Sequence, residues 1–139
     1  MTAADLIVDA SVLAKFFFDE PGSADARAVI TSGRVLAAPD LVLAEIASVA
    51  TTYVRRGLIG RQLAWEAVVT CTDLLDEIVG IQPLRTRALA LAIEASLSAY
   101  DGFYIALAEE LGAPVVTADR RLLVRAREAG LGRLVSSLS

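Results

Sequence analysis

A chain of 139 residues is long enough to bury a hydrophobic core, so we expect residues 1–139 to form a single domain. The sequence has no histidine, which excludes Ser-His-Asp and Cys-His catalysis and any zinc site that uses histidine ligands. The net charge of −4 disfavours indiscriminate nucleic-acid binding, although divalent cations bound to the acids would weaken that objection. An enzyme of this composition must work with carboxylates.

The apolar residues are not arranged for a membrane. They make up 55% of the chain, and the longest apolar stretch, residues 88–100, is interrupted by Glu94. A membrane span needs roughly 18 uninterrupted apolar residues. The start of the sequence lacks the basic and apolar segments of a signal peptide, so we expect a cytoplasmic protein with no membrane partner. The single cysteine, Cys71, is expected to be a small buried hydrophobic residue rather than a nucleophile.

Short apolar runs alternate with helical patterns along the whole chain. The strands are predicted at residues 6–8, 35–38, 78–81, 114–117 and 133–135. The helices are predicted at residues 11–18, 23–31, 41–56, 61–77, 84–97, 103–111 and 120–129, with Asp40 as the N-cap of the third helix.

This alternation predicts an α/β fold. Strands separated by helices form a parallel sheet through right-handed crossovers, which gives a three-layer α/β/α sandwich around a central sheet of four to five strands. The run Leu6-Ile7-Val8 is apolar without alternation, as is typical of a central strand that is buried on both faces. We expect the strand order 3-2-1-4-5, in which strands 1 and 4 are neighbours and the crevice between them is the ligand site.

Two aspartates stand at the ends of those neighbouring strands, and two further acids lie in apolar surroundings. Asp9 and Asp119 follow strands 1 and 4, Glu45 lies within the apolar middle of the third helix, and Asp101 follows an apolar helix. Each acid also has a simpler explanation, because aspartates cap helices and a glutamate on a helix often faces solvent. Capping alone does not account for the whole set.

Clustered carboxylates repel one another and resist desolvation, a cost that a hard divalent cation removes. Mg²⁺ or Mn²⁺ accepts oxygen ligands and is held by one or two carboxylates directly, with others acting through water. Such an ion lowers the pKa of a bound water and favours phosphodiester hydrolysis. Ser11 and Thr117 are expected to supply the hydroxyls that hold the aspartates in position.

The sequence resembles the PIN-domain ribonucleases of the bacterial VapC toxin type over nearly its whole length. The resemblance is carried by four segments in order: Ile7-Val8-Asp9-Ala10-Ser11, Leu43-Ala44-Glu45-Ile46-Ala47 after Ala38-Pro39, Tyr100-Asp101-Gly102-Phe103-Tyr104-Ile105-Ala106-Leu107-Ala108, and Val116-Thr117-Ala118-Asp119-Arg120-Arg121-Leu122. Gly102 departs mildly from the family pattern, in which alanine or cysteine is frequent at this position.

The resemblance implies an acidic quartet of Asp9, Glu45, Asp101 and Asp119 that binds the metal and carries catalysis. It implies an endoribonuclease that cuts structured RNA, such as a tRNA or an rRNA loop, and leaves a 5′-phosphate and a 3′-hydroxyl. It also implies a homodimer and a cognate VapB-type antitoxin whose C-terminal segment blocks the site. Arg120 and Arg121 are candidates for contacts to the RNA phosphate, with ordinary solvated helix charges as an equal alternative.

Three other functions fit the sequence less well. A phosphatase of the haloacid-dehalogenase type needs a second aspartate two residues after the first, where this chain has Ser11. A receiver domain needs paired acids and a lysine near its last strand, and the single lysine here is Lys15. A catalytically silent PIN fold that acts only as a binding partner is disfavoured by the presence of all four acids.

Overall fold

Five parallel strands form the central sheet in the computed structural model, which describes residues 3–139. The strands are β1 (Leu6–Val8), β2 (Leu36–Pro39), β3 (Glu77–Val79), β4 (Val115–Thr117) and β5 (Val135–Ser137). Their order is β3-β2-β1-β4-β5, and every neighbouring pair is parallel. The predicted sheet order is therefore confirmed.

Strand β1 is the central strand, and it is buried on both faces as its apolar sequence predicts. Its register with β4 pairs Ile7 with Val115 and Val8 with Val116. Ile7 and Val8 have no exposed surface. The carboxyl ends of β1 and β4 therefore lie side by side and place the residues that follow them at one edge of the sheet.

Within the part of the chain that the structure describes, seven helices cover the two faces of the sheet. They are α1 (Ala10–Phe17), α2 (Ser23–Ile30), α3 (Leu41–Arg55), α4 (Arg61–Thr70), α5 (Arg85–Ala95), α6 (Ala99–Leu111) and α7 (Arg120–Glu128), with short 3₁₀ turns at Cys71–Leu74, Gln82–Leu84 and Gly132–Leu134. One apolar cluster packs α5, α6 and α7 against the sheet. The other packs the four helices from α1 through α4 against the sheet. This is the predicted three-layer α/β/α architecture.

The predicted helix at residues 61–77 was too long. Helix α4 ends at Thr70, a 3₁₀ turn follows, and Glu77 already belongs to β3. The reason is that Asp76 joins the sheet: its N–H donates to the carbonyl of Leu36 at 2.8 Å, and its carboxylate accepts the N–H of Leu36 at 2.8 Å. Pairing with the sheet thus overrides the local helical pattern.

Other boundaries also differ from prediction, and the largest difference is at the start of α6. Helix α6 begins at Ala99 rather than at residue 103, because the Ser98 hydroxyl caps it by accepting the N–H of Asp101 at 3.0 Å. The last strand begins at Val135, where pairing with Val115 of β4 starts, and not at residue 133. Cys71 is buried, as expected.

Gly102 allows α6 to pack closely against α5. A Cβ atom at this position would lie 2.4 Å from the carbonyl oxygen of Ala88, which is too close for any side chain. The departure from the family pattern at residue 102 is therefore matched by a close approach of two helix backbones beside Asp101. Within residues 3–139, no helix is both long enough and apolar enough to cross a membrane.

Candidate active site

Four carboxylates from four different elements meet at the carboxyl edge of β1 and β4. Asp9 follows β1 directly, Asp119 follows β4 after one residue, Glu45 projects from α3, and Asp101 lies in the first turn of α6. All four line one cavity of about 610 Å³. Residues that are 110 positions apart in the sequence are thus brought together by the strand order.

Asp9 is the most buried acid of the group, with 8% of its surface exposed. Its Oδ2 atom accepts hydrogen bonds from Thr117 Oγ1 at 2.6 Å and from Ser11 Oγ at 3.0 Å. Burial raises the pKa of Asp9 above its ordinary value, the two hydroxyl hydrogen bonds oppose that rise, and the charge of Asp119 adds to it. Two hydrogen bonds therefore fix the position of this carboxylate, although its burial disfavours the ionised form.

The two hydroxyls that hold Asp9 are themselves held by the turn after β4. Ala118 donates its N–H to Ser11 Oγ at 3.1 Å, and Asp119 donates its N–H to Thr117 Oγ1 at 3.0 Å. Each hydroxyl thus accepts one backbone N–H and donates its own proton to Asp9. Ser11 and Thr117 thus lie where the sequence predicted supporting hydroxyls, and both serve Asp9.

Glu45 is half-buried, and its carboxylate contacts another side chain as well as solvent. Its Oε1 atom accepts a hydrogen bond of 2.7 Å from the hydroxyl of Tyr104, a side chain with no exposed surface. Burial, with smaller contributions from the charges of Asp9 and Asp101, raises the pKa of Glu45 from 4.5 to about 7.

Asp101 is the third residue of α6. Burial, followed by the charges of Asp9 and Asp119, raises its pKa from 3.8 to about 6. The acids are therefore close enough to repel one another. This mutual effect is the electrostatic signature of a carboxylate cluster, and such perturbed groups are concentrated at functional sites.

Helix capping explains only one of the three aspartates. Asp119 does cap α7, because its Oδ1 atom accepts the N–H of Arg121 at 2.9 Å. Asp9 occupies the N-cap position of α1 but makes no capping bond with its side chain. Asp101 lies inside α6, whose cap is Ser98.

The two arginines that follow Asp119 lie on different sides of α7. Arg121 lines a depression of about 320 Å³ together with Glu45, Asp101 and Asp119. Arg120 lines a separate cavity. Arg121 is therefore the better placed of the two for a phosphate bound at the acids.

Two residues of the site were missed by sequence reasoning. Tyr104 holds Glu45 and follows Asp101 by three residues on α6, a spacing that places both on one helix face. Arg125 lines the depression beside Arg121 and donates a hydrogen bond to the carbonyl of Ser96. The signal for Arg125 was its position one helical turn after Arg121.

The donor set fits a hard divalent cation that is bound partly through water. Within residues 3–139, no group of three or more acidic, histidine or cysteine side chains is arranged to hold an ion by itself. Mg²⁺ usually takes one or two carboxylates and keeps several waters, so a closed cage of protein ligands is not required. Burial and the neighbouring acids raise the pKa values of Glu45 and Asp101, and a bound cation would favour the ionised forms of both.

The thermal stability of the metal-free protein is expected to fall between pH 5 and pH 8. Because Glu45 and Asp101 have raised pKa values in the folded state, the fold binds protons that the unfolded chain releases, so stability is greatest at low pH and is lost as pH rises through about 7. No histidine titrates over this range. We expect a decrease of a few degrees in the unfolding temperature in EDTA.

The variant Glu45→Gln should flatten this pH dependence, since glutamine keeps the acceptor for Tyr104 and carries no charge. Glu110→Gln, at an exposed glutamate of α6, is the matched control and should unfold with the wild-type pH profile. A wild-type unfolding temperature that rises from pH 5 to pH 8 would contradict the raised pKa of Glu45. So would a fall in the unfolding temperature of Glu45→Gln equal to that of the wild type.

Comparison with known proteins places these features in a family. The model of the PIN domain matches residues 6–128. Ribonuclease VapC3 of Pyrobaculum aerophilum is 29% identical over 119 residues, which cover 84% of this chain and 91% of that protein. Ribonuclease VapC9 of Mycobacterium tuberculosis is 36% identical over 117 residues, which cover 84% of this chain and 87% of that protein.

A solved structure supports the fold. PAE2754 from Pyrobaculum aerophilum superposes with a TM-score of 0.76 and 23% sequence identity, and the match covers 99% of this chain and 91% of that one. The likeness in fold therefore extends over nearly the whole chain.

Proposed function

Because this chain belongs to the PIN-domain family and to its VapC-type ribonucleases, we propose that it is a metal-dependent endoribonuclease toxin of a VapBC-type toxin–antitoxin system. In this proposal residues 1–139 form a single PIN domain that acts in the cytoplasm. Asp9, Glu45, Asp101 and Asp119 form its catalytic and metal-binding site.

The observation that carries the proposal is the convergence of these four carboxylates on one cavity. Burial and mutual repulsion raise the pKa values of Asp9, Glu45 and Asp101, so the cluster is costly for the fold. A cluster that destabilises the empty protein is well suited to binding a cation.

The cation in this proposal is Mg²⁺ or Mn²⁺, held by the four acids directly or through water. When bound, it would activate a water molecule for attack on the phosphodiester and offset the negative charge that develops on the phosphate. Asp9 is the central ligand, since the hydroxyls of Ser11 and Thr117 fix its carboxylate.

The remaining groups orient the acids and the substrate. Tyr104 holds Glu45 through its hydroxyl, and the close packing of α5 on α6 at Gly102 sets the position of Asp101. Arg121, at the rim of the same depression, would bind a phosphate oxygen of the RNA through its guanidinium.

The proposed substrate is structured RNA, such as a tRNA or an rRNA loop, cut to leave a 5′-phosphate and a 3′-hydroxyl. The proposed partners are a second copy of the chain in a homodimer and a VapB-type antitoxin that covers the acids until it is removed. Both partners are proposed from the resemblance of the sequence to VapC-type toxins rather than from any contact within the chain.

Induced expression followed by sequencing of RNA 5′ ends tests this function. We expect the wild-type protein to arrest growth and to produce recurrent new 5′-phosphate ends in a tRNA or rRNA. Asp101→Asn, produced at the same level, should do neither. Harmless expression of the wild type, without new RNA ends, would favour a silent PIN-fold interaction protein instead.

A further inference from the structure

A second cavity lies on the other side of the turn that carries Asp119. It has a volume of about 480 Å³, and its lining includes Lys15 of α1, Asp25 of α2, Ala118, and Arg120 and Arg127 of α7. Ala118 directly precedes Asp119, so the turn at residues 118–120 forms a wall between this cavity and the acidic one. Both cavities are therefore at the carboxyl edge of the sheet.

The second cavity carries cations that the fold does not neutralise. Lys15 is paired with Glu20 at 3.1 Å, which accounts for its charge. Among the residues that the structure describes, Arg120 and Arg127 form no ion pair, and both side chains are exposed. Asp25 and the last residue, Ser139, also line the cavity, and within residues 3–139 neither forms an ion pair with these arginines. Two guanidinium groups thus remain available to an anion.

Helix α7 presents its positive charge on two flanks. Four of its nine residues are arginines, and Leu122, Leu123 and Ala126 bury its inner face. Arg121 and Arg125 line the acidic depression, whereas Arg120 and Arg127 line the second cavity. Helix α7 therefore carries one arginine pair on the side of the acids and another on the side of the second cavity.

A chain with a net charge of −4 and an acidic cleft repels RNA on balance, so local clusters of arginine must supply the attraction. We propose that the second cavity binds phosphates of the RNA strand on one side of the scissile bond, with Arg120 and Arg127 as the contacts. The strand crosses the turn at residues 118–120 between the two cavities. The identity of the ligand as RNA rests on the proposed function.

Phosphate contacts of this kind position a strand and carry little sequence information. Arg120 and Arg127 therefore set affinity and register, while the choice of cleavage site is made elsewhere. Arg121 differs from these two arginines because it lines the same depression as the acids.

The test is binding of a fluorescein-labelled single-stranded RNA, measured by fluorescence anisotropy in EDTA over a range of salt concentrations. The double variant Arg120→Gln/Arg127→Gln should bind roughly tenfold more weakly, and the slope of log K against log salt should fall by about 1.4, or about 0.7 for each phosphate that is no longer neutralised. The unfolding temperature should remain that of the wild type, since both side chains are exposed.

The matched control is Arg34→Gln/Arg133→Gln, which also removes two exposed charges. These residues precede β2 and β5 and so lie at the opposite edge of the sheet. The control should keep the wild-type salt slope. Equal affinity and slope in Arg120→Gln/Arg127→Gln and the wild type, or an equal weakening in the control, would overturn the proposal.

A separate cleavage assay of the wild type in Mg²⁺ or Mn²⁺ distinguishes this inference from the proposed function. If the wild type fails to cut RNA but the binding difference holds, the nuclease assignment fails and the second cavity remains a phosphate site. If the wild type cuts RNA and the double variant binds RNA normally, the nuclease assignment stands and the second cavity is not a phosphate site.

Discussion

Asp9→Asn is expected to reduce RNA cleavage by about 1000-fold or more, because a metal ion contributes several kcal/mol to such a reaction and each 1.4 kcal/mol is tenfold in rate. Asp9 is the best-fixed acid of the cavity: Thr117 and Ser11 both donate to its Oδ2 atom. Loss of its charge would remove the proposed central ligand while changing the shape of the side chain very little.

The same variant should unfold at or above the wild-type temperature. An asparagine oxygen can still accept from both hydroxyls, and the substitution removes a buried charge that burial and Asp119 disfavour. The measurements are the initial rate of cleavage of the RNA identified by 5′-end sequencing and the thermal unfolding curve of each protein.

Asp40→Asn is the matched control. Asp40 is an exposed aspartate at the start of α3 whose side chain makes no capping bond, so this variant should retain wild-type activity and stability. Cleavage by Asp9→Asn within tenfold of the wild type would contradict a ligand role. An unfolded Asp9→Asn protein beside a folded Asp40→Asn protein would show that the acid is structural.

Removal of divalent cations is expected to abolish cleavage altogether. The chain has no histidine, and its candidate site consists of acids that cannot by themselves generate a strong nucleophile from water at neutral pH. Addition of Mg²⁺ or Mn²⁺ in excess over EDTA should restore the full rate. Thermal unfolding in the same EDTA buffer verifies that the inactive protein is folded.

Cleavage that survives EDTA would contradict the metal mechanism while leaving the fold assignment intact. A loss of activity that Mg²⁺ and Mn²⁺ fail to reverse would indicate damage to the protein rather than removal of a cofactor. The fall in stability with rising pH that is expected without metal should shrink or reverse when metal is added, since a bound cation favours the ionised forms of Glu45 and Asp101.

The strand order and the convergence of the acids could be predicted because both follow from local rules. An unbroken apolar strand is buried in a parallel sheet, and neighbouring strands bring the residues after their carboxyl ends together. Asp9 and Asp119 were found in this way. Glu45 and Asp101 were selected because acids within or beside apolar helical sequence are costly to bury, and both line the same cavity as Asp9 and Asp119.

The contacts within the site could not be predicted, because they depend on side-chain direction. Neighbouring positions such as Arg120 and Arg121 lie about 100° apart around a helix, so they line different cavities. Tyr104 was hidden in an apolar stretch, and its hydroxyl acquires a role only when α3 brings Glu45 to it. The end of α4 was missed because Asp76 pairs with a residue 40 positions earlier.

Titration of Mn²⁺ into the metal-free protein by calorimetry tests most directly whether the acids form a cation site. We expect saturable binding by the wild type and by Asp40→Asn at neutral pH, an accompanying rise in unfolding temperature, and loss of both in Asp9→Asn and Asp101→Asn. Equal Mn²⁺ binding by the wild type and the two variants, or none by the wild type, would contradict the account.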